Sequence, residues 1–296
     1  MLSILQSTIT DLKLASYSPR TVEVYSYHVK KFLEYFDKNP KDISEDEVKQ
    51  YFIYLKYKKK LSGSASAQAI SGIKFMFEKT LDMKFKVFGI VKNPHGKKLP
   101  VILTKEETAR LLKSIRILRH RACLTLIYSC GLRLHEATGI SPADIDSKRM
   151  VVHIKDGKGR KDRLVPLPES TRQILRAHYK THRNKKFIFP APGRGGSHTF
   201  EAISDRPLPD SSVQTVLKKA IREAGIIKNV SVHNLRHSYA THLFEAGIDI
   251  RVIQKYLGHS SIASTMIYTH LTPIISENVY PKINRLMATL WQPKRP

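Results

Sequence analysis

Five short stretches of this 296-residue chain hold side chains that can act on a phosphate ester. Gly131-Leu132-Arg133 closes an apolar run. Gly157-Lys158-Gly159-Arg160-Lys161-Asp162-Arg163 is basic and glycine-rich. His233-Asn234-Leu235-Arg236-His237, Leu257-Gly258-His259 and Ile267-Tyr268-Thr269-His270 follow in that order. Cleaving a phosphodiester needs a nucleophile, fixed positive charge for the non-bridging oxygens and a proton donor for the leaving oxygen. Enzymes lower such barriers by about 8–23 kcal/mol, so several groups must cooperate. Each of these residues also has a plain structural alternative. A tyrosine, one of 13 here, usually serves as an amphipathic core residue. Arg133 at the end of an apolar helix complements the helix dipole. Lys158 among Arg160, Lys161 and Arg163 reads equally as a simple phosphate-binding turn.

Other chemistries fit less well. His233, His237 and His242 lack the glutamate of an H-E-x-x-H pattern and have no nearby cysteine, which argues against zinc. There is no G-x-x-x-x-G-K-[ST] phosphate loop. Asp144-x-Asp146 is the only tight carboxylate pair near the basic stretches, and a two-metal nuclease needs more. The residues call for neither a metal, nor ATP, nor another cofactor.

In order and spacing, the set resembles the catalytic signature of the tyrosine recombinases, the family of phage integrases and Xer-type site-specific recombinases. The resemblance runs from Leu103 to His270 and extends less specifically over the N-terminal region. It implies that Tyr268 attacks the scissile phosphate and holds the 3′ end covalently. Arg133 and Arg236 would grip the phosphate oxygens with forked donors. Lys158 would protonate the departing 5′ oxygen, and crowding by cations would lower its pKa. His233, sharing a helical face with Arg236, would accept or shuttle the tyrosine proton. His259 would hydrogen-bond the phosphate, while Glu136 and His237 would brace the site from behind. The resemblance further implies four identical protomers acting on two double-stranded DNA sites through a Holliday junction, with room for a second recombinase or an accessory protein. Two rivals share these residues. A type IB topoisomerase uses the same covalent step, but the N-terminal region speaks against it. A catalytically silent DNA-binding protein is opposed by the completeness of the set.

Charge agrees with a polyanionic partner. Lys and Arg number 51 against 25 Asp and Glu, a formal net charge of +26. Residues 1–85 contribute +4 and residues 86–296 contribute +22. No stretch approaches the length of a membrane span, and the N-terminus lacks the basic start of a signal peptide. Cys123 and Cys130 lie in one helical run, their Cα atoms about 10 Å apart, too far for a disulfide. They read as buried thiols of a reducing cytoplasm.

The elements that must position these residues are mostly helical. Ser18-Pro19 starts a helix whose apolar face is Val22, Tyr25, Val29, Phe32, Leu33 and Phe36. Ser44 with Glu47, and Thr104 with Glu107, are capping boxes. A third helix is expected over 64–80, with Ala69, Ile73, Met76 and Phe77 inward. A strongly apolar helix covers 122–129 and ends near Gly131. Val151, Val152 and Ile154, then Leu164, Val165 and Leu167, flank the Gly-rich stretch as a β-hairpin. Helices return over 169–180, 210–224, 233–246, 249–257 and 260–269, and residues 190–210 read as a loop. The expected fold is mainly α with a small β-sheet, shaped as a C-shaped DNA clamp. Its parts are a helical core-binding domain over 1–85, a basic linker over 86–100 and a mixed α+β catalytic domain over 101–272. A tail over 273–296 would dock on a neighbouring protomer.

Overall fold

The computed structural model describes residues 2–90, 99–155, 162–193 and 198–270, and these form two compact units that part between Lys98 and Leu99. The first unit runs α1 (Leu2–Leu14), α2 (Pro19–Phe36), α3 (Glu45–Ile53), α4 (Gly63–Phe75) and α5 (Val87–Ile90). The expected caps form. Ser18 accepts from the Thr21 amide with Pro19 in the first turn, and Ser44 and Glu47 close a reciprocal box. The last turns of α3 and α4 widen, so that Lys59 bonds back to Tyr54 and Leu81 to Met76. Val29, Phe32, Val48, Tyr51, Ile73, Met76 and Phe77 fill the core. Gly72 lets α4 lie against α2, since a Cβ there would stand 3.1 Å from the Tyr25 backbone. Val87 and Phe88, within the stretch expected as linker, join this core. Residues 91–98 lie outside the described residues.

The second unit opens with α6 (Lys105–Ser114), started by the Thr104–Glu107 box. Helix α7 (Leu118–Cys130) is buried nearly all round, as a central helix must be, and packs on the helices that follow. It stops at Gly131, whose φ of +61° is the left-handed cap that glycine adopts without a Cβ penalty. Cys123 and Cys130 are buried free thiols. The short α8 (Leu134–Thr138) begins at once, with Arg133 as its N-cap residue. A three-stranded antiparallel sheet comes next: β1 (Ile145–Asp146), β2 (Val151–Ile154) and β3 (Arg163–Pro166) in that order. The pairing Val152↔Val165 and Ile154↔Arg163 sets the hairpin register. Its connection over 156–161, which includes Lys158, lies outside the described residues.

Beyond α9 (Glu169–His182) the expected loop over 190–210 instead contains a helix, α10 (His198–Ile203). Its reason is a buried polar hub. Asn184 donates to the carbonyls of Glu201 and Ser204 at 2.8 Å each, and the buried Glu201 carboxylate pairs with Arg119 of α7. Side chains this far apart leave no local signature. Then come α11 (Asp210–Glu223), α12 (Val232–Glu245), α13 (Ile250–Leu257) and α14 (Ala263–Met266), and a 3-10 turn over Ile267–His270. The last expected helix, 260–269, is thus a shorter helix tightened at its end. The tail after His270 lies outside the described residues. Among the described residues, no helix is long and apolar enough to cross a membrane.

Candidate active site

Two helix ends and one guanidinium organise the site. Helices α7 and α13 both stop at left-handed glycines, Gly131 and Gly258. The last carbonyls of a helix have no intrahelical partner and carry its negative dipole end. Arg236 on α12 uses both: Nη1 donates to the Gly131 carbonyl at 2.7 Å and Nη2 to the Leu257 carbonyl. It is only 1 % exposed. Burial and the neighbouring Arg133 bring its pKa down to about 10, against the upward pull of Glu136, and it remains charged at neutral pH. The glycines are required at both ends. A Cβ on Gly131 would meet the Tyr239 ring at 2.5 Å, and one on Gly258 would meet the Arg163 side chain at 3.0 Å.

Two residues past Gly131, the chain places Arg133. Its backbone amide donates to Glu136 Oε2 and its Nη1 to Glu136 Oε1, both at 2.7 Å. Glu136 is buried and also takes a bidentate contact from Arg163, Nη1 at 3.0 Å and Nη2 at 2.7 Å. Arg236 Nη1 stands 3.8 Å from the same carboxylate. Burial alone would raise the Glu136 pKa. Hydrogen bonds from Arg163 and the Arg133 amide overcome it and hold the carboxyl at about 2. One carboxylate therefore holds Arg133 and Arg163 by hydrogen bonds, lies beside Arg236, and leaves a net excess of positive charge. Arg163 Nε donates to the Tyr256 carbonyl at 2.8 Å, tying β3 to α13 just before the His259 turn.

Arg163 is the residue that sequence reasoning underrated, because it sits among Arg160, Lys161 and Asp162 in a stretch that looks uniformly solvated. A signal was there. Arg163, Val165 and Leu167 alternate with Leu164 and Pro166, and a strand of period two puts the first set on one face. Arg163 and Val165 are buried, and Leu164 is 53 % exposed.

The histidines and the tyrosine come together near Arg236. Ser231 and Asn234 form a capping box that starts α12 and sets its phase. His233 and His237 lie one turn apart, their rings edge-to-face with centroids 4.5 Å apart. His237 Nδ1 is 2.9 Å from the Tyr268 hydroxyl. His259 Nδ1 is 3.0 Å from Thr265 Oγ1, and Gln254 donates to its carbonyl. Tyr268 is fully buried beside Tyr239, Ala240, Ile253 and Leu257. Burial pushes its hydroxyl up to about 12, opposed by the charge of Arg236. Burial and the nearby cations hold His259 at about 4. Burial, His233 and Arg236 hold His237 at about 4. Burial, Arg236 and Arg133 lower His233. His237 and His259 are thus neutral at pH 7, and His233 is shifted in the same direction.

The structure thus gathers Arg133, Glu136, His233, Arg236, His237, His259 and Tyr268 around one cationic centre and adds Arg163. Lys158 lies outside the described residues. Among the described residues, no group of three or more His, Cys, Asp or Glu side chains is placed to hold a metal ion. The arrangement offers a phenol, fixed guanidinium charge and neutral imidazoles, a set suited to phosphoryl transfer to a side-chain oxygen.

Known proteins share this plan. Residues 102–273 match the phage integrase family and residues 4–86 match the N-terminal SAM-like domain of phage integrases. An integrase/recombinase of Sinorhizobium fredii is 35 % identical over 274 residues, spanning 92 % of this chain and 85 % of its own. Tyrosine recombinase XerA of Thermococcus kodakarensis is 32 % identical over 278 residues, 91 % of each chain. Among solved structures, XerH site-specific recombinase bound to its difH substrate in a pre-cleavage complex superposes with a TM-score of 0.66. It is 25 % identical, over 88 % of this chain and 78 % of that one. The fold and the matches define a tyrosine-type site-specific recombinase. The chain belongs to the phage integrase family.

Proposed function

We propose that the protein cuts and rejoins double-stranded DNA through a 3′-phosphotyrosine on Tyr268, without metal or ATP. Arg133 and Arg236 hold the non-bridging oxygens of the scissile phosphate. Both act better on the more highly charged transition state than on the ground state. Glu136 keeps Arg133 oriented, His259 hydrogen-bonds the phosphate, His233 and His237 serve the tyrosine, and Lys158 protonates the leaving 5′ oxygen. The observation that carries this reading is the position of the Tyr268 hydroxyl. It is buried within the field of Arg236 and hydrogen-bonded to an imidazole of the same helix. A tyrosine used only for packing has no need of that neighbourhood. A likeness to a recombinase solved on its DNA site supports DNA as partner, as does the excess of positive charge in residues 86–296.

By the resemblance to the family, the N-terminal core-binding domain and the catalytic domain both bind the duplex. Four protomers exchange strands at two sites through a Holliday junction in the cytoplasm. The tail over 273–296 docks on a neighbouring protomer, so its deletion should abolish synapsis while leaving single-site binding. The central test is covalent trapping on a nicked suicide substrate. The wild-type chain should form a protein–DNA adduct, and Tyr268→Phe should bind the same DNA and form none. An adduct formed by Tyr268→Phe would move the nucleophile elsewhere.

A further inference from the structure

We infer that Arg163 is a positioning residue for the cleavage reaction: by saturating the Glu136 carboxylate, it leaves the Arg133 guanidinium able to meet the scissile phosphate. The inference rests on the reading of Tyr268 as nucleophile and of Arg133 as a phosphate-gripping residue, and it gives a role to a residue outside that set. An ionised carboxylate has about four lone-pair sites. Glu136 fills them inside the protein. Its Oε1 accepts from Arg133 Nη1 at 2.7 Å and from Arg163 Nη1 at 3.0 Å. Its Oε2 accepts from the Arg133 amide and from Arg163 Nη2, both at 2.7 Å. Arg163 thus supplies the paired, fork-to-fork contact, the strongest that a guanidinium makes with a carboxylate.

The three arginines near this carboxylate are held differently. Arg236 is anchored by the Gly131 and Leu257 carbonyls and stands 3.8 Å from Glu136, so its place does not depend on the carboxylate. Arg163 is fixed from several sides. Strand pairing sets its backbone opposite Ile154, Nε donates to the Tyr256 carbonyl at 2.8 Å, and Gly258 leaves the room that its side chain fills. Arg133 is the looser member. Among the described residues its one side-chain hydrogen bond is the Nη1 contact to Glu136. Its side chain is 18 % exposed, against 6 % for Arg163 and 1 % for Arg236. Its remaining donors are the ones that can turn to an incoming anion.

Removing Arg163 would leave Glu136 charged in a buried place with acceptor sites empty, which is costly. The neighbouring guanidinium best able to turn is that of Arg133. A second bond to the carboxylate would take the donor that the phosphate needs. The formal charges lead to the same result. With Arg163 present, the carboxylate is matched by a buried cation, and Arg133 and Arg236 both act on the charge developing at phosphorus. Without it, Glu136 and Arg133 cancel, and the site loses a full cation.

Single-turnover cleavage of a nicked suicide substrate tests this, with either a phosphate or a methylphosphonate at the scissile position. The methylphosphonate lacks the negative charge of the non-bridging oxygens, so its transition state needs less cationic help. Arg163→Met, assayed at a temperature where circular dichroism shows it folded, should cleave the phosphate about tenfold or more slowly than the wild-type chain. On the methylphosphonate that loss should shrink severalfold, in parallel with the loss caused by Arg133→Ala. A variant that merely loosened the packing would lose the same factor on both substrates. The double variant Arg133→Ala with Arg163→Met should cleave within about twofold of Arg133→Ala alone, because nothing is left for Arg163 to position. Arg163→Lys keeps the charge without the fork and should lose less. It goes through the same comparisons, so that misfolding of Arg163→Met does not remove them. A wild-type rate in Arg163→Met, equal losses on both substrates, or losses that multiply in the double variant overturn the role of Arg163. A wild-type rate in Arg133→Ala would instead overturn the reading of Arg133, and absence of any adduct in the wild-type chain would overturn Tyr268 as nucleophile.

Discussion

The two units bury different things. In the first, Thr8 is the one described polar residue buried as a whole, and the core is a mesh of aromatic rings such as Phe32 against Tyr51 and Phe77. Most of its described ion pairs lie at helical spacing on the surface, as with Arg20 and Glu23 or Lys31 and Glu34, and the longer-range pair Lys38–Glu47 is also solvent-accessible. In the second, Glu136, Arg163 and Arg236 lie inside with His120, His178, His182, Asn184 and Glu201. Desolvating a charge costs several kcal/mol, and mutual attraction repays that only when every donor and acceptor is used. Among its described residues, the first unit buries no charged side chain. The second spends stability to hold guanidinium groups where water would otherwise screen them, as stabilising charge on a phosphate requires.

That contrast can be tested where it should be sharpest. Arg163→Met leaves Glu136 buried with its bidentate partner gone. Urea unfolding should show the second unit destabilised by about 3–5 kcal/mol. Lys31→Ala, which removes an exposed pair, should not move the midpoint measurably. Equal effects would mean that the buried carboxylate is solvated after all.

The glycines should separate the units next. Gly131→Ala forces a left-handed residue, worth about 1–2 kcal/mol, and drives a methyl into the Tyr239 ring, worth about 1–3 kcal/mol more. It should also displace the carbonyl that anchors Arg236 and so slow covalent adduct formation. Gly89→Ala in the first unit meets nothing within 4 Å and should be neutral or slightly stabilising.

A smaller difference should appear with acid. His120, His237 and His259 are held at about 4 in the folded state against an ordinary 6.5. Between those values the unfolded chain binds protons that the folded chain refuses. Their contribution is therefore complete above pH 6.5 and is lost as pH falls toward 4. Glu136, lowered from 4.5 to about 2, adds a loss below pH 4.5. Among its described residues, the first unit has one histidine shifted this way, His28. Hydrogen exchange at pH 7 and pH 5, corrected for intrinsic rates, should show the second unit losing more protection. Uniform loss across both units would contradict the placement of the neutral histidines.

Much of this protein is written locally. The boxes at Ser44–Glu47 and Thr104–Glu107, the helix start at Ser18-Pro19, the hairpin strands and the stop at Gly131 each depend on residues within a turn or two of one another. A single sequence displays such neighbours directly. The ordered motifs named the family and collected most of the site, because that order is itself a string property.

Tertiary structure decided which atoms meet. Arg236 reaches a carbonyl 105 residues away, Arg163 clasps Glu136 across 27, and His237 faces a hydroxyl 31 positions on. The packing of α13 and the 3-10 turn against α12 selects among three histidines, and spacing along the chain does not encode that selection. Likewise, Arg163 is charged in a charged stretch until strand alternation and the Glu136 carboxylate turn it inward. Periodicity and capping are set by short-range sterics and hydrogen bonds. The partner of a buried charge is set by whichever distant group the completed fold leaves close enough to offset its lost water.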